Sequence, residues 1–91
     1  MTVLVLESVS ESLRGECTRF LLEIKAGVFI GTLSALVREK LWDKVKATSG
    51  EGNCLIAYPS DNEQGFQMEM SGNPRRTIID IEGLLLIKSV V

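Results

Sequence analysis

The sequence predicts an α+β fold: a ferredoxin-like sandwich with two helices on one face of a mainly antiparallel sheet, and an extra C-terminal strand. Three observations predict it. Thr2 to Glu7, TVLVLE, is a nearly continuous run of β-formers, the pattern of a central strand covered on both faces. Two stretches, opening near Ser8 and near Thr32, repeat apolar residues at helical intervals. The remaining apolar segments are short and bounded by Gly, Asn and Pro, as strands are. The expected order is strand–helix–strand–helix–strand–strand–strand in a single domain over residues 1–91.

After the first strand, Ser8 or Ser10 can cap a helix, and Ser8 with Glu11 has capping-box spacing. Leu13, Cys17, Phe20, Leu21 and Ile24 form its core-facing stripe, with Arg14, Thr18 and Lys25 along one flank. AGVFIG ends that helix and supplies a strand around Val28 to Ile30. Thr32 or Ser34 starts the second helix, which carries Leu33, Val37, Leu41 and Val45 at four-residue steps with Leu36 beside them. Trp42 falls off the centre of that stripe, which points to an edge or subunit interface. Asn53 to Tyr58 is the next strand, and FQMEM alternates Phe66, Met68 and Met70 against Gln67 and Glu69. LLLIKSVV reads as a final strand, which needs an edge in a twin subunit or another protein unless it pairs within its own sheet.

Composition narrows the chemistry. The chain has 91 residues, 45% apolar and 24% charged, with a formal charge of −2. So small a domain often completes its core with a partner subunit. There is no histidine, which removes His-based acid–base catalysis, Ser-His and Cys-His nucleophiles and most zinc sites. Cys17 and Cys54 form no CxxC pair and read as buried free thiols in a reducing cytoplasm. No hydrophobic run has the length of a membrane span, so no membrane partner is expected.

What chemistry remains lies with carboxylates and arginines. GNPRRT places Arg75 and Arg76 side by side behind a Gly-Asn-Pro turn. Guanidinium forks match phosphate geometry, and two on a stiff turn can straddle successive phosphates. The alternative is a pair of solvated surface charges. Few aromatic residues stand nearby, which favours duplex backbone contact over single-strand stacking. Arg14 lies in the first turns of the first helix, where the helix dipole disfavours a cation, so an external anion would suit it. Its neighbour Gly15 costs a helix roughly 1 kcal/mol relative to alanine. Close packing on the sheet or room for a bulky ligand backbone would each explain it. Lys25 is a fourth basic candidate. Glu7, at the end of the first strand, could meet its twin across a dimer axis and hold Mg²⁺, or simply face helix amides. Glu51, Asp61, Asp80 and Glu82 are expected in solvated loops.

The order TVLVLE…LRGE…LLEIKAGVFIG…VREKLW…EGNCLIAY…GFQMEM…RRT…D.EGL.L resembles CRISPR-associated protein 2 of subtype I-E from end to end. The resemblance implies a cytoplasmic, ferredoxin-like homodimer that partners the CRISPR integrase subunit and holds duplex DNA during spacer acquisition. It implies DNA contacts at Arg14, Arg75 and Arg76, with Lys25 at a basic family position. It also implies docking of the integrase through the C-terminal strand at Leu84, Leu85, Leu86, Ile87 and Lys88. Ser12 stands where close relatives often have a basic residue, and NPRRT replaces the commoner LNRRT.

Three functions follow as expectations. The first is a DNA-binding scaffold needing no cofactor. The second is a Mg²⁺-dependent endonuclease on RNA or duplex DNA through Glu7, as described for the wider family. The third is a ferredoxin-like regulatory dimer without nucleic acid.

Overall fold

The computed structural model describes residues 1–72 with their side chains, together with the backbone of residues 76–81 and 84–89. Strand β1 (Thr2–Glu7) leads into helix α1 (Glu11–Cys17), then β2 (Leu22–Lys25) and β3 (Val28–Gly31). Helix α2 (Ala35–Thr48) follows, then β4 (Asn53–Pro59), β5 (Phe66–Ser71), β6 (Arg76–Ile81) and β7 (Leu84–Ser89). The first five strands form one antiparallel sheet in the order β2-β3-β1-β4-β5. With α1 and α2 as crossovers, its first four strands have the expected ferredoxin-like arrangement, and β5 extends the β4 edge.

Several local expectations are corrected. The first helix is only seven residues long and ends at Cys17, although Leu21, the next member of its stripe, is still buried in the core. Arg14 therefore falls in its last turn, where the helix dipole favours a cation, not in the first. Leu22 to Lys25 instead pairs with β3 across the two-residue Ala26-Gly27 turn, so Lys25 leaves the flank expected to join it to Arg14 and Thr18. Phe20 and Ile24, expected in the core, are 47% and 55% exposed. Both caps resolve to the later candidate. The Leu13 amide donates to Ser10 Oγ at 3.1 Å and the Val37 amide to Ser34 Oγ at 3.3 Å, each meeting one orphan donor of a helix start.

On α2 the buried positions are Leu41, Trp42 and Val45, while Leu36 is exposed. Trp42 therefore belongs to the core of the single chain rather than to an edge. The helices lie on one sheet face: Leu13 and Cys17 from α1 and the α2 trio enclose Leu4, Leu6, Phe29, Cys54 and Ile56. Both cysteines are buried free thiols, and burial pushes Cys17 up to about 11.

The register assigns the opposite sheet face. Leu22, Ile30, Val3, Ala57 and Met68 run across it in one row, and Val28, Val5, Leu55 and Met70 in the next. These residues are half-buried, or exposed in the case of Leu22, so an apolar surface stands opposite the helices. A solvated antiparallel face normally carries polar residues at these positions.

Beyond β5, Arg76–Ile81 forms a strand that the expected order does not include, and Asp80, expected in a loop, lies in it. The last strand finds its partner within the chain: β6 and β7 pair antiparallel, from Arg76 opposite Ser89 to Ile81 opposite Leu84, in a separate two-stranded sheet. No helix among the described residues is long and apolar enough to cross a membrane.

Candidate nucleic-acid interface

One end of the sheet gathers three of the residues singled out from the sequence, Glu7, Lys25 and Arg14. Glu7, the last residue of β1, lies opposite Asn53, the first of β4, and Cys54 lies opposite Ser71 at the end of β5. Lys25 reaches the same end through β2, since Lys25, Val28 and Val5 share one row. The backbone there is tightly stacked. A Cβ on Gly52 would stand 2.6 Å from the Glu7 carbonyl oxygen, and one on Gly72 would stand 2.4 Å from the Gly52 carbonyl oxygen. Only hydrogen side chains admit three chain segments this close. Ser8, between β1 and α1, takes a left-handed φ of 58°, uncommon for a residue with a Cβ.

Arg14 is brought to this end by an internal partner. Its Nε and Nη2 donate to Glu23 Oε2 at 3.1 and 2.9 Å, and the Gly27 amide donates to the same oxygen at 2.9 Å. The Gly27 hydrogen bond, and then Arg14, hold the Glu23 carboxyl below its ordinary value. Gly27 is itself fixed, for the Leu6 amide donates to its carbonyl at 2.7 Å. The chain thus ties α1, β2 and β1 together through one carboxylate. Arg14 keeps 35% of its side chain exposed, and its Nη1 end carries no hydrogen bond from the described residues.

Gly15 beside it has open space where a Cβ would go. Close packing on the sheet is therefore not the reason for that glycine. The surface next to Arg14 is clear instead.

Lys25 is exposed and makes no ion pair with a described residue. Glu7 is exposed too, and no group of three or more metal-ligating side chains occurs among the described residues. Arg75 lies outside the described residues, as does the side chain of Arg76, which opens β6. Arg76 lies four chain steps beyond Gly72, so the chain can carry it at most about 14 Å from this sheet end. The side chains of Leu84, Leu85, Leu86, Ile87 and Lys88 also lie outside what the structure describes. Their backbone forms β7.

Two features escape the sequence. Periodicity assigns Glu23 to a helix, because Leu21 and Ile24 satisfy a helical period as well as a strand. The signal that places it correctly is the hairpin pattern LEIK-AG-VFIG, two short apolar runs with a two-residue glycine turn. The second is a cavity of about 270 Å³ between α2 and the β4–β5 edge, lined among others by Arg38, Trp42, Lys46, Tyr58 and Glu69. Arg38 stacks over the Tyr58 ring at 3.8 Å, and the Tyr58 hydroxyl donates to Glu69 Oε2 at 3.2 Å. Burial first, then Glu69, raises the tyrosine's pKa. Among the described residues, one buried side-chain donor, Trp42 Nε1, has no acceptor.

Residues 1–86 match the protein family described as CRISPR-associated protein (Cas_Cas2CT1978).

Proposed function

Because the chain belongs to the CRISPR-associated family Cas_Cas2CT1978 and so serves CRISPR immunity, we propose that it is the duplex-holding scaffold of spacer acquisition. In this reading it is the subtype I-E form, a homodimer that works with the CRISPR integrase in the cytoplasm and grips DNA by its phosphate backbone. The supporting observation is convergence. Arg14 and Lys25 come to the sheet end from which the chain departs toward Arg75 and Arg76. Four cations per subunit, doubled in a dimer, form a phosphate track that reads no base.

The apolar sheet face supports the dimer. Two copies joined there would bury the rows through Val3 and Val5, completing a core that the helices cover on one side only. The β6–β7 hairpin, paired on its own outside the main sheet, is the element offered to the integrase.

The test is insertion of a labelled duplex into a repeat-containing target by the matching integrase, with binding followed against salt. Arg75→Ala with Arg76→Ala should weaken binding to all duplexes alike and reduce the salt slope by about two per subunit. Loss of affinity with an unchanged slope would refute phosphate contact. Glu7→Ala should support insertion as the unmodified chain does. If it abolishes insertion, the strand-end carboxylate matters and a metal-dependent role is reopened.

A further inference from the structure

We propose that Glu23 is the positioning residue for Arg14, a fixed carboxylate that aims the guanidinium's free end outward at a phosphate. The inference rests on the duplex-binding reading and adds a residue to it. Its ground is the convergence of three donors on Glu23 Oε2: Arg14 Nε, Arg14 Nη2 and the Gly27 amide.

The anchor is the main chain. Gly27 stands at φ +78°, where a Cβ would meet the Leu6 carbonyl oxygen at 2.3 Å. The turn cannot shift without disturbing β1, so the oxygen it holds has a set position. An arginine tied by two donors to a set oxygen loses rotamer freedom before any ligand arrives, which lowers the entropic cost of binding. The Nε–Nη2 edge faces the carboxylate, leaving the Nη1 end unbonded on a side chain still 35% exposed. Open space at Gly15 lets a bulky backbone approach. A merely stabilising ion pair would need none of this clearance.

The opposite arrangement is also physical. A carboxylate beside an arginine can occupy the place of the phosphate and compete with it. Glu23 already spends its bonds on the Gly27 amide, a donor that does not leave when DNA binds, so the carboxylate stays where it is and directs Arg14.

The experiment is a cycle of Arg14→Ala, Glu23→Ala and the double variant, with Glu23→Gln added. Each full-length chain is assembled with the matching integrase and titrated with an end-labelled duplex of mixed sequence. Thermal unfolding is recorded in parallel. Glu23→Ala should weaken binding several-fold when Arg14 is present and leave it unchanged when Arg14 is absent. Glu23→Gln, which keeps an acceptor for Gly27 and Arg14, should restore most of the loss.

Tighter binding by Glu23→Ala would make the carboxylate a competitor and overturn the proposal. Equal weakening in both backgrounds, tracking the melting temperature, would reduce Glu23 to a structural role and overturn it too. If Arg14→Ala itself leaves affinity and salt slope unchanged, positioning has no object and the proposal falls. The Arg75 and Arg76 variants then decide separately whether the duplex reading survives.

Discussion

Arg14 and Glu23 lie nine positions apart and meet through two hydrogen bonds to a single oxygen, one of 3.1 Å and one of 2.9 Å. The pair has a signature in acid. The Glu23 carboxyl is held below its ordinary value of 4.5, by the Gly27 amide first and by Arg14 second. A depressed folded value means that the contribution is fully present above the unfolded value and drains away as pH falls through the folded one. Glu23→Gln should therefore lower the melting temperature most near about pH 7, and the difference from the unmodified chain should shrink toward about pH 3. A pH-independent difference would show that the charge is not what stabilises the turn. Glu16, paired with Lys44 and shifted the same way, is common to both proteins and cancels in the comparison.

The two glycines flanking this pair should respond oppositely. Gly15 is helical, and a methyl group added there would meet nothing within 4 Å, so Gly15→Ala should stabilise the chain by up to about 1 kcal/mol. The same methyl stands on the surface beside Arg14, so if Arg14 grips a duplex as proposed, duplex affinity should fall while the melting temperature rises. Stability and affinity rising together would place the DNA elsewhere.

Gly27 has the reverse constraint. A left-handed φ of 78° and a Cβ position 2.3 Å from a carbonyl oxygen leave no room for a side chain. Gly27→Ala should cost at least about 2 kcal/mol in urea unfolding, combining left-handed strain with displacement of Leu6. Near-neutral stability would mean that the β2–β3 turn can move, and Glu23 would lose its anchor.

These positions also mark how far the sequence can be read. The continuous apolar run of β1 and the four-residue steps of α2 are unambiguous periods, so the sheet-and-helices architecture is legible. The stretch from Phe20 to Lys25 is not, because Leu21 and Ile24 fit helix and strand alike, and a bulge between Glu23 and Lys25 blurs the strand alternation. Arg14 is legible as a cation, but the same ambiguity hides its partner. Trp42 looks like an edge residue when the stripe is centred on Leu41. Its burial follows from the width of the apolar arc, which a strict four-residue step understates.

Trp42 yields a prediction from its missing acceptor. A buried donor left unpaired costs about 1–3 kcal/mol, and Trp42 Nε1 is such a donor. Phenylalanine removes it but leaves a smaller ring beside the α2–β4 cavity, losing packing of similar size. Trp42→Phe should accordingly lie within about 1 kcal/mol of neutral, whereas Trp42→Ala should cost about 3–5 kcal/mol. Chemical unfolding of both variants checks this. A Phe variant as damaged as the Ala one would imply that the indole nitrogen is bonded in solution.

Leu55 tests the uncovered sheet face. It sits in the row with Val5 and Met70, opposite the helix-facing core, and is only half-buried in the single chain. If two copies pack by this face, each buries its Leu55, and full burial of such a side chain is worth about 1.5–3 kcal/mol. Because Leu55 is already half-buried, a glutamate there forfeits about half of that contribution in each copy and must also shed its hydration. The dimer should therefore lose at least about 1.5 kcal/mol, roughly tenfold or more in dissociation constant. The monomer's own core on the helix side does not include Leu55, so Leu55→Glu should remain folded. Sedimentation at micromolar protein should then show a folded monomer for the variant and a dimer for the unmodified chain. A variant that stays dimeric would mean that the subunits meet through another surface, and the apolar rows would need a different cover.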